Sequence, residues 1–154
     1  MSAAVPFNPM PVAGDIVWTK FPQVENLGSP GPKPRPALIL FISDEDHAVI
    51  VAYGTSQRTD NVYPGEFVLD PQEPGFSLSG LTARTKFQLG RTAQLPFDSH
   101  WFGSAPGVHI NSPLPKMGTL HPSYMQAAAD AYLHSPCTCF RGRRSRRAAT
   151  RPRE

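Results

Sequence analysis

Arg35 and Thr55 are the residues of this chain best placed to do chemistry. Arg35 stands in Gly31-Pro32-Lys33-Pro34-Arg35-Pro36, just ahead of the apolar run Ala37-Leu38-Ile39-Leu40-Phe41-Ile42. Thr55 stands in Gly54-Thr55-Ser56-Gln57, just after the run Val49-Ile50-Val51-Ala52-Tyr53. Two strands joined by the polar turn Ser43-Asp44-Glu45-Asp46 run antiparallel, so the start of the first lies beside the end of the second. A guanidinium and a hydroxyl then share one end of a hairpin. A guanidinium grips phosphate bidentately, and a hydroxyl donates to or accepts from a neighbouring oxygen. That points to phosphate binding or phosphate chemistry.

The elements that must position these groups are short. Asp15-Ile16-Val17-Trp18-Thr19-Lys20-Phe21 alternates and is rich in β-formers, so a first strand is expected there. Residues 22–36 hold Pro22, Pro30, Pro32, Pro34 and Pro36, too many prolines for a helix, and are expected as a long exposed loop. After the hairpin, Glu66-Phe67-Val68-Leu69 reads as a strand. Residues 85–89 and 91–95 read as a strand pair or as one strand kinked at Gly90. Several short strands suggest a small barrel. Residues 96–119 are again rich in Pro and Gly. Pro122 to His134 is expected as a helix, with Pro122 at its first position and Tyr124, Ala128, Ala131 and Tyr132 on its packing face. Trp18 and Phe21 are expected in the core or at a dimer contact, and Trp101 and Phe102 as a plug or edge cover. The expected organisation is a flexible arm over 1–13, a barrel domain with its C-terminal helix over 14–135, and a disordered basic tail over 136–154.

Composition narrows the function classes. The chain has 154 residues, 40% of them apolar, with 18 prolines and 12 glycines. That is room for one domain plus tails. No apolar stretch approaches the roughly 20 residues that span a bilayer. The first 13 residues lack a basic start followed by an apolar block, so a cytoplasmic protein is expected. The net charge of +3 is set by the tail, because residues 141–154 carry seven arginines and one glutamate, a net +6. The rest of the chain is therefore at 3 − 6 = −3, and a basic-domain argument for nucleic-acid binding does not apply. Cys137 and Cys139 are one residue apart, too close for an ordinary disulfide and for the usual zinc-ligand spacing even with His134 nearby, so free thiols are expected. His47 and the acidic turn Asp44-Glu45-Asp46 are expected to be solvated rather than catalytic or metal-binding.

The order of the motifs resembles the PemK/MazF family of toxin endoribonucleases. The resemblance rests on Gly14-Asp15-Ile16-Val17-Trp18, Gly28-Ser29, Lys33-Pro34-Arg35-Pro36-Ala37-Leu38, Gly54-Thr55-Ser56-Gln57, Ser79-Gly80-Leu81 and Gly90-Arg91-Thr92. It spans about residues 14–96 and implies an SH3-like antiparallel barrel that dimerises. It implies metal-independent, sequence-preferring cleavage of single-stranded RNA, with no cofactor. The partners implied are a cognate antitoxin and, through the antitoxin complex, DNA. The family's catalytic arginine falls on Arg35, its threonine on Thr55 and a loop serine on Ser29. Lys33, Ser56, Gln57, Arg58, Lys86 and Arg91 are then the expected RNA contacts.

The reaction implied uses the RNA's 2′-hydroxyl as nucleophile and leaves a 2′,3′-cyclic phosphate and a 5′-hydroxyl end. Its site must hold the phosphate in line and neutralise charge on its oxygens. No histidine lies in the motifs, so a ribonuclease built on paired histidines is not expected. The alternative is a non-catalytic RNA- or protein-binding module on the same barrel. In that case Arg35 pairs with Asp15 or Glu25, and Thr55 only shapes a turn.

Overall fold

In a computed structural model of the chain, the residues described are 4–23, 25–26, 28–104, 114–135 and 139–141. The strands are β1 (Asp15–Thr19), β2 (Arg35–Ser43), β3 (Ala48–Thr55), β4 (Glu66–Leu69), β5 (Thr85–Pro96), β6 (Lys116–Thr119) and β7 (Cys139–Arg141). A 3₁₀ turn covers Phe76–Ser79, a second covers Pro122–Tyr124, and helix α1 (Met125–Leu133) follows it. The protein is mainly β. Strand order is β4-β5-β3-β2-β1-β6, all antiparallel, with β7 parallel to β5. The sheet curls into a half-barrel. The turn Phe76–Ser79 lies against β6, and α1 lies against β4.

Both faces of this sheet are covered, which is why β2 and β3 are near-continuous apolar runs. One face packs Ile16, Leu38, Ala52, Phe67, Phe87 and Leu89 beneath Tyr124 and Ala131. The other packs Val17, Ala37, Ile39, Val51, Ala93 and Leu95 beneath Phe97, Trp101 and Phe102. Trp101 and Phe102 are each 1% exposed and cover the second face of the sheet.

β5 is one bent strand. Tyr53 pairs with Gln88 but Ala52 pairs with Thr92, so Leu89, Gly90 and Arg91 are looped out of the β3 register. Three extra residues reverse the alternation. Phe87 and Leu89 serve one core, whereas Ala93 and Leu95 serve the other.

Three features depart from the sequence expectation. The arm expected to be loose is tied down: Phe7 N donates to Phe97 O (3.0 Å), Val5 N donates to Ser99 Oγ (2.8 Å), and the Phe7 and Phe97 rings pack together. His47 is half-buried rather than solvated, and its Nε2 lies 2.9 Å from Phe7 O. A strand, β6, occupies the stretch expected as loop, because the free edge of β1 takes it up. The expected basic tail lies outside the described residues except for 139–141, and so does Cys137. Among the described residues, no helix is long and apolar enough to cross a membrane.

Candidate active-site cleft

Strand register brings the sequence-predicted pair together. Ala37 pairs with Tyr53, and continuing two residues outward sets Arg35 opposite Thr55. On their other sides Arg35 pairs with Thr19 and Thr55 pairs with Lys86, so four strands contribute to one row at the end of the hairpin. Gly54 permits the approach. A Cβ there would overlap Pro36 O and the Phe87 ring, so any side chain would push the end of β3 away from Arg35. The proline-rich loop is anchored below, where Gly31 N donates to Lys20 O (3.0 Å) and Lys20 N to Trp101 O (2.8 Å). The fixed φ of Pro32, Pro34 and Pro36 then sets the path of Lys33 and Arg35.

Arg35 and Thr55 line the same cleft, of about 350 Å³, with Lys33, Ser56 and Trp18. Its far wall comes from Leu81, Thr82, Thr85 and Met117. Thr55 is a buried residue, and its hydroxyl oxygen accepts a hydrogen bond from Gln57 N (3.1 Å). Its oxygen is thereby oriented and its own hydrogen remains available to donate. Among the described residues, no ion pair engages Arg35 or Lys33. Asp15, one partner considered for Arg35, pairs with Lys116 (3.3 Å) and accepts from Val12 N (3.0 Å). A second cleft, of about 100 Å³, shares Lys33 and Arg35 with the first and adds Arg91, Tyr53, Phe21, Pro32 and Gln23. Among the described residues, no carboxylate lines either cleft.

The remaining sequence candidates separate. Arg91 lines the small cleft and Ser56 the large one. Gln57 and Arg58 are exposed on the turn beyond Thr55 and line neither, and Arg58 has a left-handed φ of 54°. Ser29 lies on the loop leading to Arg35 and also lines neither. Lys86 is buried, with Nζ donating to Asn61 O (2.8 Å) and paired with Glu66 (3.1 Å), so it does not face an open groove. The nearby Arg84 is likewise held, by Asp70 and by Thr59 O. Trp18, expected in the core or at a dimer contact, is half-buried in the cleft wall, whereas Phe21 is a core residue at 4% exposure. The walls that sequence reasoning missed are Tyr53, Thr82, Thr85 and Met117. Only Ser79-Gly80-Leu81, just ahead of Thr82, carried a signal for that wall.

The arrangement can bind a phosphate group. It offers fixed positive charge from Arg35 and Lys33, hydroxyl donors from Thr55 and Ser56, and an aromatic wall at Trp18. No protein-family model matches this chain, and no curated protein does. Similar solved structures include an endoribonuclease in complex with its cognate antitoxin from a mycobacterial species. That match has 14% identity and a TM-score of 0.47, and covers 79% of this chain and 90% of that one. They also include an endoribonuclease from a mycobacterial species, at 14% identity and a TM-score of 0.48, covering 86% of this chain and 99% of that one.

Proposed function

We propose that this chain is an endoribonuclease that cuts single-stranded RNA with sequence preference and without a metal ion. In this reading it is a homodimer and the toxin of a type II toxin–antitoxin pair, bound by a cognate antitoxin. The observation that carries the proposal is one cleft lined both by Arg35, without an ion-pair partner among the described residues, and by Thr55, whose hydroxyl oxygen is oriented by Gln57 N. The motif order given above supplies the family to which this geometry is compared. A binding module that used Arg35 as a structural ion pair would engage it with Asp15 or Glu25; Asp15 is instead paired with Lys116, and among the described residues no ion pair joins Arg35 to Glu25.

In the reaction, the 2′-oxygen of the RNA attacks the adjacent phosphorus and its proton passes to solvent water. The bond from phosphorus to the 5′-oxygen breaks, and that oxygen gains a proton. The products are a 2′,3′-cyclic phosphate and a 5′-hydroxyl. Arg35 neutralises the charge that grows on the phosphate oxygens. It also delivers the proton to the leaving oxygen. A guanidinium is a weak acid, but an alkoxide is a stronger base than the guanidinium's conjugate, so this transfer runs downhill, and the guanidinium regains its proton from water. Thr55 donates to a non-bridging oxygen, and Lys33 and Ser56 hold the strand on either side. In this reading Ser29 assists from the loop leading to Arg35, and Gln57 and Arg58 contact RNA from the turn beyond Thr55.

The test is cleavage of a long single-stranded RNA in EDTA by the full chain and by its Arg35→Ala variant. The expected result is discrete fragments ending in cyclic phosphate from the wild type, with a loss of about 100-fold or more in the variant. Cleavage unchanged by the substitution would remove Arg35 from the chemistry. No cleavage by the wild type across varied RNAs would favour the binding module.

A further inference from the structure

The small cleft beside Arg35 holds a cation that the hairpin does not supply. Arg91 belongs to the three residues looped out of β5, and such an irregularity aims a side chain that a regular ladder would have placed elsewhere. Its guanidinium carbon lies 3.9 Å from the centroid of the Tyr53 ring and 5.6 Å from that of Phe21. The two rings meet edge-on at 5.1 Å, and Phe21 is buried, so the platform is fixed. Stacking holds a guanidinium by its flat face and leaves the N–H groups on its rim free to hydrogen-bond. Among the described residues, no ion pair engages Arg91, and no carboxylate lines the cleft it enters.

Size separates the two clefts. The one with Arg91 is about 100 Å³, less than a third of the roughly 350 Å³ of its neighbour. Three cations, Lys33, Arg35 and Arg91, border the smaller space, and Arg35 and Lys33 belong to both. A cramped, cationic pocket suits a phosphate. The larger cleft, with the Trp18 wall, has room for a nucleoside.

We propose that Arg91, clamped on Tyr53, binds a second backbone phosphate of the RNA, adjacent to the phosphate at Arg35. The inference rests on the ribonuclease reading and adds to it a path for the strand: nucleoside in the large cleft, reacting phosphate at Arg35, next phosphate in the small cleft. Holding two successive phosphates restricts rotation of the one between 2′-oxygen and leaving group, which favours in-line geometry.

The test is binding of a fully 2′-O-methylated single-stranded RNA, which lacks the nucleophile and is not cleaved. Affinity is measured by fluorescence anisotropy over a series of salt concentrations. Arg91→Gln keeps a planar group over Tyr53 and removes the charge; Arg91→Lys keeps the charge and loses the plane. Arg91→Gln is expected to bind about tenfold more weakly and to lower the slope of log affinity against log salt by about 0.7, one phosphate's share. Arg91→Lys is expected to keep the wild-type slope. A wild-type slope in Arg91→Gln would overturn the inference while leaving Arg35 and the ribonuclease reading intact. Equal loss of slope in both variants, with a lowered melting temperature, would make Arg91 a packing residue and overturn it as well. Failure of the wild type to bind this RNA would overturn the ribonuclease reading, and the inference with it.

Discussion

The cations near the Arg35 end of the hairpin are used in two ways. Arg35 and Lys33 border the clefts without ion-pair partners among the described residues, whereas Arg84 and Lys86 are engaged by Asp70 and Glu66. Lys86 is the decisive case, because its Cα partner across the sheet is Thr55 itself. Its side chain is 4% exposed and that of Glu66 is 12% exposed, and Glu66 also accepts from Gln88 and from Tyr63 N. Removing one partner of such a pair strands the other charge. Lys86→Met is therefore expected to cost about 3 kcal/mol of stability, measured by urea unfolding, and to leave the salt dependence of RNA binding unchanged. A stable variant with a reduced salt slope would mean instead that Lys86 reaches RNA. The sequence showed Arg35 and Thr55 because both flank an apolar run with turn residues. It could not assign Lys86, because its partner lies twenty residues away and only the β4–β5 register joins them. That Trp18 lines a cleft was not legible for a similar reason: alternation gives its side of β1, but not that this side opens into a cleft beyond Thr19.

At the level of elements, hydrophobic pattern and turn chemistry located the hairpin, β4 and the C-terminal helix to within a few residues. They did not locate β6, whose Lys116-Met117-Gly118-Thr119 has neither alternation nor β-branched bulk beyond Thr119. That strand exists because the tertiary structure presents it with the edge of β1 on one side and the turn Phe76–Ser79 on the other. The contact is backbone to backbone. A Cβ at Gly118 would overlap the Ser79 carbonyl and Leu78 O, and one at Gly80, where φ is 75°, would overlap Met117 O. Met117 lines the large cleft, so this contact also fixes the wall facing Arg35. Gly118→Ala forces backbone to move, at about 1–3 kcal/mol by analogy with overpacking. A lower melting temperature and slower RNA cleavage are expected together. A variant with wild-type stability would show that β6 is not seated against the turn. The bend in β5 was legible only as a kink at Gly90. That it contains three residues, and so moves the later half of the strand to the opposite core, depends on pairing with β3.

For the molecule as a whole, the two cores are closed by different means. The segment after β5 and the N-terminal arm cover one, and α1 covers the other. On the α1 side a polar link ties the fold together, in which the Tyr124 hydroxyl donates to Glu73 Oε1 at 2.6 Å. Glu73 sits between β4 and the turn Phe76–Ser79, and its Oε1 also accepts from Asp70 N (3.1 Å). Tyr124 is 5% exposed, and burial, then the bond and the charge of Glu73, push its hydroxyl from the usual 10.0 up to about 12. A group with a raised folded-state pKa contributes stability that is complete below its unfolded value and is lost as pH rises through the folded one. The window here is pH 10 to 12, and the loss is on the order of 2 kcal/mol. The measurement is urea unfolding of wild type and Tyr124→Phe at several values from pH 8 to 12. Other tyrosines and lysines titrate in both proteins, so the difference between them isolates Tyr124. The wild type is expected to hold a constant advantage up to about pH 10 and to lose it by about pH 12. An advantage that does not change across that range would mean that the hydroxyl is not held by Glu73, and that α1 is retained by its apolar face alone.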